Sequence, residues 1–148
     1  MTSTNATTIR DATMDDYDIV FGFIEKLWTY NTYDKSTIQK VYQEVLESAE
    51  TFAFLLFEGT KAVGFCHGAY INTFWLSGKT CYLSSIITLE EERRKGHGAT
   101  MMNHAKKLAV HQGCKGIILD SGMQRADAHA FYENYGFSRS AYCFELKL

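Results

Sequence analysis

Not one proline occurs among the 148 residues of this chain, an absence that carries no functional reading of its own. Other absences exclude more. The four cysteines, Cys66, Cys81, Cys114 and Cys143, include no C-x-x-C pair. Structural zinc is therefore not expected, and the thiols read as reduced, mostly buried residues of a cytoplasmic protein. No run of about 18 apolar residues exists, so no membrane-spanning helix is expected. The opening MTSTNATTIRDAT lacks the apolar core of a signal peptide, which again fits the cytoplasm. A formal net charge of −2 gives no global reason to bind nucleic acid. Internal repeats, low-complexity tracts and linkers are missing too.

What remains is 46% hydrophobic, with ten Phe and nine Tyr, enough for a real core in one domain spanning residues 1–148. The chain is organised around Cys81 to His111. CYLSSIIT reads as a buried strand, LEEERRK as a charged turn, and GHGATMMNHAKKLAVH as a helix opening on two glycines. Met101, Met102, Ala105, Leu108 and Ala109 fall on one helical face. Arg93, Arg94 and Lys95 place three cations before Gly96 and Gly98. The first N–H groups of a helix lack internal partners, and the macrodipole draws anions to that end. Glycines and cations there form a phosphate cradle.

The flanking elements follow from periodicity. Thr7 to Ala12 is a short polar strand, and Thr13 with Asp16 a helix cap. A helical stripe from Ile19 runs to about Tyr30, and a second helix follows Asp34 to Ser36. Thr51 to Ile71 reads as a β-hairpin turning at Glu58 to Lys61. Gly116 to Leu119 is an apolar strand. A short helix capped by Asp127 stops at Gly136, and Ser140 to Leu148 alternates as a last strand. The order β-α-α-β-β-β-α-β-α-β gives an α/β fold: a mixed, mostly antiparallel sheet with helices on both faces and one parallel crossover.

Three readings of the glycine turn compete. A dinucleotide site gains from Asp120, 22 residues after Gly98, but lacks the third glycine and the tight turn. A P-loop needs Lys-Ser or Lys-Thr after its second glycine, and none is present. A solvated basic turn is the plain alternative.

Two motifs bear on the choice. Arg93-Arg94-Lys95-Gly96-His97-Gly98-Ala99 resembles the Arg/Gln-x-x-Gly-x-Gly/Ala signature of GCN5-related N-acetyltransferases. Ala128 to Phe137, AHAFYENYGF, resembles that family's Ala-x-x-Phe-Tyr-x-x-x-Gly-Phe helix. The closing segment is also weakly similar in pattern to aminoalkylphosphonate N-acetyltransferases.

The resemblance implies a single acetyltransferase domain with acetyl-coenzyme A as co-substrate. Amides from Arg94 to Ala99 would hold the pyrophosphate, helped by the charge of Arg93, Arg94 and Lys95. Ile86, Ile87 and Thr88 would splay from the strand ending at Leu119 and pair with the pantetheine arm. Tyr132 would protonate the departing thiolate. Many relatives carry an acid where Ser84 and Ser85 stand, so the amine's proton must go elsewhere; Asp120 and His67 are the named candidates, with Glu25 and Asp34 behind them. Glu25, Trp28, Tyr30 and Asp34 would contact the acceptor, with Phe74-Trp75 and Tyr33 nearby. His97, His104, His111 and His129 are expected in surface or cap roles, with no metal site. The expected reaction is acetyl transfer to a primary amine of a small molecule. Protein or peptide acetylation and a coenzyme-binding module without turnover are the alternatives. A homodimer is left open.

Overall fold

The computed structural model describes residues 6–148. The chain divides into two compact units, one running to Ile118 and one from Leu119 to Leu148. The first unit carries β1 (Thr7–Asp11), α1 (Tyr17–Leu27), α2 (Lys35–Glu47), β2 (Thr51–Glu58), β3 (Lys61–Thr73), β4 (Gly78–Thr88) and α3 (His97–His111). It ends in the short strand β5 (Ile117–Leu119), whose last residue begins the second unit. The sheet has the order β1-β2-β3-β4-β5. The first four strands run antiparallel to their neighbours. The approach to β5 runs parallel to β4, with bonds advancing together: Lys115 N–H donates to the Lys79 carbonyl at 2.7 Å and Cys81 N–H to the Gly116 carbonyl at 2.9 Å.

Helices cover both faces, and side-chain alternation explains which residues go where. Ala53, Leu55, Phe65 and Ile87 face α1 and pack with Tyr17, Val20, Phe21 and Phe23. Tyr42 anchors α2 in the same cluster, and its hydroxyl donates to the Thr13 carbonyl at 2.6 Å. The opposite face meets α3, whose Met101, Met102 and Ala105 are fully buried. That helix sits close: a Cβ at Gly64 would lie 2.7 Å from the Met101 sulfur, so only glycine lets the backbone approach.

Two register shifts interrupt the ladders. On β4, Ser85 opposes His67 and Leu83 opposes Gly68, leaving Ser84 as the extra residue of a bulge. Its effect is topological. Cys81 packs with Tyr70 and Ala109 of α3, whereas Ile87, an even number of residues on, packs with α1. The bulge has moved the odd-numbered side chains from one face to the other.

The N-terminal cap follows the sequence reading. Thr13 donates its N–H to Asp16 at 2.8 Å and its hydroxyl at 3.1 Å. Arg10 adds a fork, with its two nitrogens 2.7 and 2.9 Å from the Asp16 carboxylate. The hydrogen bond from Arg10 leads in pulling the Asp16 carboxyl down to about 2.

The second unit contains α4 (Ala126–Tyr135), closed by Gly136 at φ 126°. Arg125 occupies its N-cap and Asp127 lies in the first turn, so the expected cap by Asp127 moves two residues upstream. The expected last strand is also corrected. Residues 140–148 form no strand and are exposed along their length. Alternation specifies a strand only when a neighbouring edge is available to pair.

Because its folded carboxyl is depressed below the ordinary 3.8, Asp16 stabilises the native state above about pH 4 and loses that contribution as pH falls through about 2. Asp16→Asn is expected to cost about 1–3 kcal/mol in urea unfolding at pH 7. The gap to the unsubstituted protein should narrow below pH 3. A gap independent of pH would show that ionisation of Asp16 contributes nothing.

Candidate active site

The turn from β4 into α3 begins with a single 3-10 turn, Glu90–Glu92, and then reverses through two left-handed residues. Arg94 has φ 66° and Gly96, the N-cap of α3, has φ 82°. Left-handed backbone at a non-glycine residue is costly and tends to cluster at ligand sites. Here it turns successive N–H groups toward one side, the kind of concavity that receives anions. The first α-helical closure is from Thr100 N–H to the Gly96 carbonyl at 3.0 Å, and the Thr100 hydroxyl donates to the same oxygen. The N–H groups of His97, Gly98 and Ala99 precede that closure and so lie in the turn that has no intrahelical acceptors.

Charge around this turn is divided. Lys95 bonds to Glu92 at 2.7 Å, and Lys61 bonds to the other Glu92 oxygen at 3.1 Å. Those bonds, Lys95 first, hold the Glu92 carboxyl below its ordinary range. Arg93 and Arg94 are exposed, so they carry the positive field at the turn. The sequence placed all three cations on the ligand; the structure commits Lys95 to bracing the loop.

A second brace was not foreseen. His97 is buried, not a surface residue, and its Nε2 lies 3.3 Å from a Glu58 oxygen, outside hydrogen-bond geometry. Glu58, Glu92 and His97 bring one atom each within 4.8 Å of one another. The end of β2, the 3-10 turn and the start of α3 are thereby drawn to one point. Nothing in the spacing of Glu58 and His97 announces this, because 39 residues and two strands separate them. His104 is likewise partly buried, edge-on to Phe54 at 4.7 Å, and burial lowers its pKa. His129 places Nε2 2.8 Å from the Gly122 carbonyl, and His111 is exposed at the end of α3.

The other predicted residues fall as follows. Ile86, Ile87 and Thr88 close β4, immediately beyond the Ser84 bulge. His67 stands on β3 opposite buried Ser85, on the sheet face that receives α1, and burial pushes its pKa down. Its imidazole is therefore neutral at pH 7 and able to accept a proton. Glu25 is exposed on α1, Trp28 is half-buried at its end, and Tyr30 is 70% exposed in the following loop. Asp34 is the N-cap of α2, accepting from Thr37 N–H at 2.9 Å, its hydroxyl at 2.6 Å and the Ser36 hydroxyl at 2.8 Å. Those bonds keep it ionised. Phe74 and Trp75 occupy an exposed turn between β3 and β4.

In the second unit, Tyr132 is 8% exposed on α4, its ring edge-on to Phe131 at 5.5 Å and to Phe137 at 5.9 Å. Asp120 is exposed just after β5.

Comparison with known proteins agrees with this arrangement. The profile of the Acetyltransferase (GNAT) family matches residues 9–137, and the chain belongs to that family. It is 29% identical over 112 residues to the uncharacterized N-acetyltransferase YhdJ of Bacillus subtilis (strain 168), covering 75% of this chain and 78% of that protein. Its fold matches the crystal structure of a transcriptional regulator from Bacillus halodurans C-125 with a TM-score of 0.88 at 22% identity, over 97% of this chain and all of that one. Aminoglycoside N-acetyltransferase AAC(6')-Iy, solved in complex with CoA, also gives 0.88 at 14% identity, over 100% and 98% of the two chains. The protein is an acetyltransferase, with acetyl-CoA as its co-substrate. The left-handed turn, with open space around Gly96, fits a diphosphate.

A Cβ at Gly96 would meet nothing within 4 Å, so a substitution there is penalised by φ alone. Gly96→Ala is expected to weaken acetyl-CoA binding by about 5–30-fold, the equivalent of 1–2 kcal/mol of left-handed strain. Calorimetric titration with acetyl-CoA measures it, and an unchanged Kd would detach Gly96 from coenzyme binding.

Proposed function

We propose that this protein transfers the acetyl group of acetyl-CoA to the primary amine of a small molecule, by direct attack of the amine on the thioester. The observation that carries the proposal is the braced left-handed turn, which brings helix-terminal amides and two exposed arginines to one place. Both units serve as a single N-acetyltransferase domain in this reading, and the buried thiols of Cys66 and Cys81 fit a cytoplasmic setting.

Each step falls to a group of this chain. Amides from Arg94 to Ala99 take the pyrophosphate. The pantetheine arm pairs with Ile86, Ile87 and Thr88, where β4 leaves its bulge and parts from β5. An N–H there also faces the acetyl oxygen as negative charge develops on it, and such a donor is worth about 3 kcal/mol. An alkylamine of pKa about 10.4 is almost entirely protonated at pH 7, so it must lose a proton before it attacks. His67 is assigned that proton. It is neutral, it lies beside the bulge, and it occupies the position across from Ser85 where no acid is available. Asp120 is the second candidate. Tyr132 returns a proton to the thiolate; its burial on α4 and its place in the family's motif support this role.

The acceptor is read from α1 and the loop after it. Trp28 and Tyr30 offer aromatic surface, while Glu25 and ionised Asp34 offer negative charge. A compact amine with an apolar body fits those groups. The same fold serves an aminoglycoside N-acetyltransferase.

Thiol release from acetyl-CoA over a panel of small amines and peptides tests the reading. Turnover is expected with small amines. Release with peptides alone would assign a protein substrate, and release with neither would leave a coenzyme-binding module. Tyr132→Phe should lower kcat ten-fold or more with acetyl-CoA affinity retained; an unchanged rate would remove Tyr132 from the chemistry. His67→Gln should depress kcat/KM and abolish an acidic limb that falls below the ordinary histidine value of 6.5. Persistence of that limb in the variant would shift the role to Asp120.

A further inference from the structure

The segment that reads as a strand but pairs with nothing in its own chain requires an explanation. Along residues 140–148 the even positions are apolar: Tyr142, Phe144, Leu146 and Leu148 are 81%, 93%, 86% and 116% exposed. Beyond Ala141, the odd positions are Cys143, Glu145 and Lys147, with Lys147 Nζ 3.9 Å from Glu145. This is a two-faced strand, one side built for a core and the other for water. Four large apolar residues spaced two apart and left in solvent mark an association surface rather than scattered exposure.

We propose that this arm pairs with a second copy of the chain, adding a strand beside the partner's β5, while the partner's arm does the same in return. β5 ends the sheet order, so its outer row of N–H and C=O groups is an open edge. Its Ile117, Ile118 and Leu119 are apolar and half-buried, matching the arm's apolar face. The other edge strand, β1, is Thr-Thr-Ile-Arg-Asp and mostly exposed, a poor match. Each chain owns one arm and one such edge, so a two-fold exchange closes on itself and leaves neither unused. The area is sufficient. Two aromatic rings per arm, at about 150–250 Å² each, give roughly 600–1,000 Å² over both arms before leucines and backbone are counted. With those added, the contact exceeds the roughly 1,000 Å² that separates specific interfaces from casual ones.

The test reads oligomeric state and needs no activity. Light scattering on the full chain at 50 μM should give twice 16.8 kDa. The Phe144→Asp/Leu146→Asp double variant should give half that mass with an unchanged far-UV circular dichroism spectrum. Glu145→Gln, on the other face of the arm, should remain dimeric. Mixing ¹⁴N- and ¹⁵N-labelled protein and cross-linking amines should yield mixed-isotope Lys147–Lys115 peptides, since Lys115 lies two residues before β5. A monomeric wild type overturns the proposal, as does a double variant that stays dimeric. Lys147–Lys115 links formed only within one isotope would place the arm on its own chain, and that too would overturn it.

Discussion

Everything assigned to the site depends on a backbone reversal that the chain would not adopt unaided. Two residues within three positions, Arg94 and Gly96, occupy left-handed φ, and only one of them is glycine. The reversal is held because the surrounding charges are arranged around it. Glu92 is gripped from both sides by Lys61 and Lys95, while His97, the first helical residue, is buried beside Glu58. Strand β2, the β3 start, the 3-10 turn and the N-terminus of α3 all contribute one group to that knot. A helix start fixed in this way presents its free amides in constant positions, which is the condition for electrostatic binding without reorganisation.

The same arrangement separates two tasks that a basic motif seems to combine. Lys95 spends its charge on protein structure, and Arg93 and Arg94 keep theirs for solvent or ligand. A flexible ammonium is suited to bridging two carboxylates at short range, whereas a guanidinium offers a planar fork suited to phosphate. The division follows the chemistry of the side chains, although their order in the sequence gives no hint of it.

Much of the fold was legible for a physical reason. The meander β2-β3-β4, the cap at Thr13 and Asp16, and the stop at Gly136 rest on local signals: alternation, a hydroxyl three residues before an acid, a glycine with positive φ. The motif around Gly96 was readable because turn geometry and helix start are also local. Contacts between distant residues were not. The approach of His97 to Glu58, and the burial of His104 against Phe54, depend on how α3 lies on the sheet. Asp34 shows the opposite limit, since a carboxylate before a helix reads equally as a cap or a ligand, and three hydrogen bonds make it a cap first. The tail from Ser140 was misread within the single chain because alternation records what a segment is built to bury, not which chain supplies the other side.

One extra residue on β4 has a wider meaning. Cys81 and Ile87 belong to the same unbroken odd-numbered series, yet they supply hydrophobic clusters on opposite sides of the sheet. Ser84 therefore works like a frameshift written into the strand. Losing that single serine would restore a uniform count and swing the far end of β4 through half a turn. Ile87 would then point at α3 and the coenzyme-facing backbone would be offset by one position. The length of this strand, more than the identity of any side chain on it, is what its descendants have least freedom to change.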